Sequence, residues 1–264
     1  MKFETLKPLL NHPTVFLPKK RIFLLSHMRA YTSLIGHIMG SSPEICGYYE
    51  LHIGYYSWRS LIRQKLIFFQ HENPKPGFSY MFDKVLHNEH RVSVAILDAQ
   101  SSKVIFSLRS PRQTIPSIIK LYREIDPSHE LTTMEAAVDY YIGRVQGLAK
   151  IATEMTQPFF YFDAEVMKVD AEGCLSDLTR WLSLESPLSP DYDLQLRSSS
   201  RRYGDTSEHI RAGTIIRKES SYDEFQENEA GIALAENAYR ETREVLSRLS
   251  IEKRLAEDIL FQGP

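Results

Sequence analysis

Two short apolar runs in this chain each end in an arginine followed by hydroxyl side chains, a pattern suited to holding anions. In the first, Ile22-Phe23-Leu24-Leu25 leads through Ser26, His27 and Met28 to Arg29, Thr32 and Ser33, and then into an amphipathic helical stretch. A strand that delivers the chain to a turn before a helix aims the helix's unpaired N–H groups and positive dipole end at an anion. Arg29, Thr32 and Ser33 add side-chain donors to that cradle. In the second, Lys103-Val104-Ile105-Phe106-Ser107-Leu108 ends in Arg109, followed by Ser110-Pro111-Arg112 and a helix-period stretch from Ile115 to Tyr122. Pro111 suits the first turn of that helix, and Ser117 lies roughly two helical turns beyond Arg109. Either segment alone also reads as a basic turn between core elements. Two of them in one chain point to a ligand with two separate phosphate groups.

In order and spacing these segments resemble the sulfotransferases that use 3′-phosphoadenosine-5′-phosphosulfate (PAPS). That family holds the 5′-phosphosulfate with a Lys/Arg-Ser-Gly-Ser/Thr-Thr loop, matched by Arg29-Ala30-Tyr31-Thr32-Ser33 with two departures. Its 3′-phosphate strand is matched by Arg109-Ser110-Pro111-Arg112 and Ser117. Ser42-Pro43-Glu44-Ile45 resembles the family's closure of the first helix, Phe82-Asp83-Lys84 its Asp-Lys strand, and Phe160-Tyr161-Phe162-Asp163-Ala164 with the stretch around Trp181 a later strand and helix. Gly204-Asp205 with His209 and Ile215-Ile216 resembles a late segment of bacterial members.

The resemblance implies an α/β fold with a central parallel β-sheet flanked by helices, of the P-loop-containing nucleotide hydrolase type. It also implies sulfuryl transfer from PAPS to a hydroxyl, or an amine, of a small-molecule acceptor, with release of PAP and no metal required. The implied cofactor residues are Arg29, Ala30, Tyr31, Thr32, Ser33, Arg109 and Ser117, with Arg217-Lys218 as a late basic pair at which Glu219 replaces the expected glycine. Lys84 is the implied cation on the transferring group. Glu50, at the family's interval from Arg29 and after the short apolar stretch Ile45-Cys46-Gly47, is the implied base. His87, three residues past Lys84, and His52 compete with it, because a neutral imidazole accepts a proton at physiological pH. His27 lies inside the loop, within reach of a sulfate; His37 and His90 read as structural. Ala30 and Tyr31 remove a hydroxyl and a glycine, and a tyrosine at positive φ costs about 1 kcal/mol or more. Two other readings stand beside this one. One is a P-loop kinase or NTPase, against which stands the lack of any G-x-x-x-x-G-K-S/T run; the other is a non-catalytic PAP-binding module on the same fold.

With 264 residues, a formal charge of −2 and dispersed Lys and Arg, the chain has enough material for one α/β domain, taken as 1–258, and no broad basic surface for nucleic acid. A small or neutral acceptor fits better than a sulfated polymer. Cys46 and Cys174 have no metal-ligand spacing and read as buried small hydrophobes. The N-terminus lacks an apolar leader core and no run approaches a membrane span, so a cytoplasmic protein is expected. Nothing specifies an oligomeric state. Residues 259–264 read as a protease recognition sequence carried over from expression.

The elements that must position these residues alternate between strand and helix. Strands are predicted at Ile22–Leu25, Phe78–Val85, Lys103–Leu108 and Phe159–Phe162. Helices are predicted after Thr32, over Tyr55–Phe69, Leu131–Glu154, Ala171–Leu184 and Asn228–Asp258, while Val92–Ala99 fits either type. His71–Gly77 reads as an exposed loop, and Ser186–Arg217 as a long loop or hairpin that could cap a cofactor. Ligands of such parallel sheets sit beyond the strands' carboxyl ends, where both arginines fall. Tyr48, Tyr49, Tyr55, Tyr56, Trp58 and Tyr80 read as acceptor-pocket wall or as core rim.

Overall fold

The computed structural model describes residues 16–195, 211–215 and 229–257. Its strands are β1 Lys20–Leu25, β2 Ile45–Cys46, β3 Tyr80–Val85, β4 Ser102–Leu108, β5 Phe160–Asp163 and β6 Glu252–Arg254. Its helices are α1 Thr32–Ser41, α2 Trp58–Phe69, α3 Val94–Leu97, α4 Pro111–Ile125, α5 Met134–Glu154, α6 Val166–Val169, α7 Ala171–Leu182 and α8 Glu229–Leu249. The six strands form one sheet in the order β2-β3-β1-β4-β5-β6, with every neighbouring pair parallel. This is the α/β architecture expected from the sequence.

A parallel strand covered on both faces reads as an unbroken apolar run, and Ile22-Phe23-Leu24-Leu25 is fully buried. Alternate side chains feed two cores. Ile22, Leu24, Phe82, Ile105, Phe160 and Phe162 pack under α1, α6 and α7. Phe23, Leu25, Val104 and Phe106 pack on the opposite face with residues of α4, α5 and α8. The chain therefore leaves β1 toward one face and its neighbour β4 toward the other. That divergence is a topological switch point, where a crevice opens beyond the strand ends.

Several expected boundaries move. The helix expected from Tyr55 begins at Trp58, because Tyr55 instead forms a parallel bridge with Val92. Val92–Ala99 resolves to the single helical turn α3. The terminal helix stops at Leu249, and Glu252–Arg254 joins the sheet as β6, an edge strand whose charged residues gave no apolar alternation. Within Ser186–Arg217 the described part is irregular, with one antiparallel bridge between Asp191 and Thr214; residues 196–210 and 216–217 lie outside the described residues. Cys46 and Cys174 are buried and unpaired, as expected.

Candidate functional site

The loop after β1 turns through two left-handed residues, Arg29 at φ 63° and Tyr31 at φ 54°. Tyr31 is the N-cap of α1 and supplies no side-chain cap, so the first N–H groups of a ten-residue helix point out of the turn without one. The Lys84 ammonium, at the end of β3, lies 3.5 Å from the Ser33 hydroxyl in that first turn. Lys84 and Asp83 are sequence neighbours on a strand and so point to opposite faces. Asp83 goes into the core, where it accepts from the Leu51 N–H at 3.1 Å and from the Tyr55 hydroxyl. Burial pushes its carboxyl up to about 8.

The second arginine segment closes on the first. Arg29 Nε donates to Ser117 Oγ at 2.8 Å, Arg109 Nη1 donates to the Arg29 carbonyl at 2.8 Å, and the Arg109 guanidinium stacks over the Tyr31 ring at 4.3 Å. The two predicted cradles thus share one crevice at the switch point. Arg109 Nε is buried with no hydrogen-bond partner. An unsatisfied guanidinium N–H beside an uncapped helix end fits an anionic group such as a nucleotide phosphate. The N-terminus of α4 is already occupied, since Glu165 accepts from the Ser110 N–H at 2.8 Å. Any anion at the second segment would be held by Arg109 and Ser117 themselves.

Across the crevice, Glu50 is buried and accepts from the Leu86 N–H at 3.3 Å. Its carboxylate faces His52 Nδ1 at 3.8 Å and His87 Nε2 at 3.9 Å. Burial lowers the pKa of His87, opposed by the charge of Glu50, so the imidazole is neutral near pH 7. Gly47 makes this approach possible. It sits at φ 109°, and a Cβ there would meet the Phe82 carbonyl at 2.2 Å.

One face of α5 braces all three loops, and the sequence reading missed it. Arg144 donates to the Ser26 carbonyl at 2.8 Å, the Val85 carbonyl at 2.5 Å and Asn88 Oδ1 at 2.9 Å. Tyr141 donates to the Arg109 carbonyl at 2.7 Å, and Tyr140 to the Leu86 carbonyl at 3.2 Å while accepting from the Met28 N–H at 3.4 Å. These residues tie the loops carrying Arg29, His87 and Arg109 to one rigid helix. Their signal in the sequence is an arginine and two tyrosines on the buried side of an amphipathic helix.

One expectation changes and one open alternative closes. His27 is fully buried with both ring nitrogens engaged, Nδ1 donating to the Met28 carbonyl at 2.9 Å and Nε2 accepting from the Arg109 N–H at 3.0 Å, so it braces the crevice and has no group to offer a sulfate. Tyr48, Tyr49, Tyr55 and Tyr80 are core residues, and only Tyr56 and Trp58 of the aromatic set are exposed. His90, read as structural, stands beside His52 with ring centroids 5.5 Å apart. Arg217 and Lys218 lie outside the described residues. A surface concavity of about 540 Å³ is lined by Tyr239, Arg243, Arg248 and Lys253 among others, and none of the expected site residues borders it. Among the described residues no helix is long and apolar enough to cross a membrane.

No family model matches the chain, and no curated protein matches it either. Among solved structures the chain is similar to a sulfotransferase domain from the curacin biosynthetic pathway, at 16% identity over 90% of this chain and 99% of that one, TM-score 0.47. It is also similar to the mouse sulfotransferase SULT7A1 complexed with PAP, at 14% identity over 89% and 87% of the two chains, TM-score 0.47.

Proposed function

We propose that this chain, folded as one domain, is a sulfotransferase that passes the sulfuryl group of PAPS to a hydroxyl of a small-molecule acceptor. The observation that carries the reading is the convergence at one switch point of the uncapped α1 end with Lys84 against its first turn, and of Arg29, Arg109 and Ser117 beside it. Bound PAPS supplies an activated sulfuryl group on a phosphate leaving group. The N-terminus of α1, Arg29, Thr32 and Ser33 hold the 5′-phosphate, and Arg109 with Ser117 the 3′-phosphate. Lys84, a compact cation, balances charge growing on the bridging oxygen. Glu50 takes the acceptor's proton, with His87 neutral beside it. These roles fall to side chains and to the α1 backbone, and in this reading the transfer needs no divalent metal and takes place in the cytoplasm.

Thermal-shift titration with PAP beside ATP tests the binding half. PAP at about 100 times its Kd should stabilise by about 2.7 kcal/mol; a shift with ATP alone refutes the proposal in favour of a kinase-like reading. Turnover with PAPS tests the other half. Glu50→Gln should lower kcat by about 10²–10⁴-fold with PAP affinity retained. The αL tyrosine and the Arg29–Ser117 bond favour a second reading, a PAP-binding module without transfer, which PAP binding with no turnover on any acceptor would establish.

A further inference from the structure

Beyond the nucleotide cradle, the mouth of the crevice gathers imidazoles around a carboxylate. Glu50, His52 and His90 each present a ligand atom, and these atoms all lie within 4.8 Å of one another. His87 completes the group, its ring centroid 6.4 Å from that of His52 and 6.3 Å from that of His90. His52 is held at φ 52°, a left-handed conformation strained for a non-glycine residue, and it aims Nδ1 at the carboxylate. Its side chain is 35% exposed, which leaves the cluster open to solvent. The Glu50 carboxylate already accepts the Leu86 N–H, the kind of outer bond that orients a ligating carboxylate. The Arg144 guanidinium nearby is spent on carbonyls and Asn88.

We propose that Glu50, His52 and His90, with His87 beside them, form a binding site for a divalent transition metal of the zinc class, and that the bound metal blocks transfer by taking the Glu50 carboxylate. Tetrahedral ligands at about 2.0–2.1 Å from zinc stand about 3.3 Å apart. The ligand atoms now lie within 4.8 Å of one another, so metal binding has to draw them closer. Imidazole with one carboxylate selects zinc and its neighbours over magnesium or calcium. The metal site stands on this geometry alone; the blocking rests on the reading of Glu50 as the base.

Titration of the untagged chain with Co²⁺, read by visible d–d absorption and reversed by Zn²⁺, tests the site without PAPS or acceptor. Saturation at one equivalent is expected. His90→Asn and His52→Asn should each weaken it at least about 100-fold, since losing a direct ligand exceeds the 10–100-fold loss from an outer-shell partner. Asn tolerates the left-handed backbone at position 52, and circular dichroism confirms folding of both variants. His71→Asn should bind as the parent chain does. Absence of d–d bands, or bands unchanged in both site variants, overturns the metal site. For the blocking, Zn²⁺ should inhibit PAPS-driven turnover, and the inhibitory concentration in His90→Asn, measured against that variant's own metal-free rate, should rise by the same factor as its metal Kd. Equal inhibition of both proteins overturns the blocking. Co²⁺ binding through these residues in a chain with no turnover refutes the transfer reading and the blocking together, and supports the metal site.

Discussion

Replacing Asp83 by Asn should remove a loss of stability that the chain otherwise suffers above pH 6.5. The carboxyl is fully buried in the core, and desolvation raises it from 3.8 to about 8, opposed by the bond from Tyr55. An acid whose folded pKa is raised binds its proton more tightly folded than unfolded. Its stabilisation is complete below about pH 4 and is lost as pH rises to about 8, at about 1.4 kcal/mol per unit. His27 runs the other way. Burial holds its imidazole down to about 3 from 6.5, so its stabilisation is complete above pH 6.5 and is lost as pH falls toward 3.

Between about pH 4 and 6.5 the two slopes oppose and nearly cancel. From 6.5 to 8 only the Asp83 slope remains of the pair, and it amounts to about 2 kcal/mol. Lys65, lowered to about 8 by burial, begins to act at the top of that window and does so equally in parent and variant. Urea unfolding followed by far-UV circular dichroism at pH 6.5, 7.0, 7.5 and 8.0 reads the difference directly. The parent chain should lose about 2 kcal/mol more across this range than Asp83→Asn, whose side-chain oxygen can still accept the Leu51 N–H. Equal slopes in the two proteins would mean that Asp83 is ionised in the folded state and the reasoning is wrong.

Other perturbations test the bracing of the crevice. His27→Gln should shrink the loss of stability between pH 6 and 3.5, and an unchanged acid limb in urea unfolding would count against the buried neutral imidazole. Tyr31→Ala keeps the left-handed strain and loses the ring under Arg109, whereas Tyr31→Gly loses both; Gly should therefore be the more stable variant by about 1 kcal/mol in denaturant unfolding, and the reverse order would deny strain at this position. Tyr141→Phe should cost about 1 kcal/mol, the worth of one buried hydrogen bond to the Arg109 carbonyl. Ser117→Ala releases Arg29 Nε and should weaken PAP binding about tenfold by calorimetry, while an unchanged Kd removes Ser117 from the nucleotide site.

The strands that carry the site were legible because interior parallel strands must be apolar throughout, so Arg29 and Arg109 stand out at their ends. What braces them was not legible. Arg144 reaches a carbonyl 118 positions away in sequence, and Tyr141 one 32 away, and no local pattern distinguishes such a residue from one that fills the core. Tyr55 and Tyr80 show the same ambiguity in reverse. Read as either pocket wall or core rim, they are buried, with their hydroxyls satisfied by Asp83 and by the Leu182 carbonyl. The edge strand β6 escaped notice because its side chains are charged and only one neighbour pairs with it.

Tyr31 shows how a loop can close without the glycine its shape favours. A left-handed turn with outward N–H groups forms a concavity for an anion, and glycine reaches that conformation without steric cost. Tyrosine incurs about 1–2 kcal/mol there. In exchange its ring receives the Arg109 guanidinium at 4.3 Å and the Lys168 ammonium at 5.3 Å, contacts worth about 0.5–2 kcal/mol each. The sums are comparable, so the strained backbone and the gathered cations sustain one another. Both cations are thereby held over the loop before any anion arrives. A glycine would leave the cradle easier to form and its guanidinium less well placed. Tyrosine here orders Arg109 as the chain folds, which under the proposed nucleotide site would be preorganisation achieved through strain.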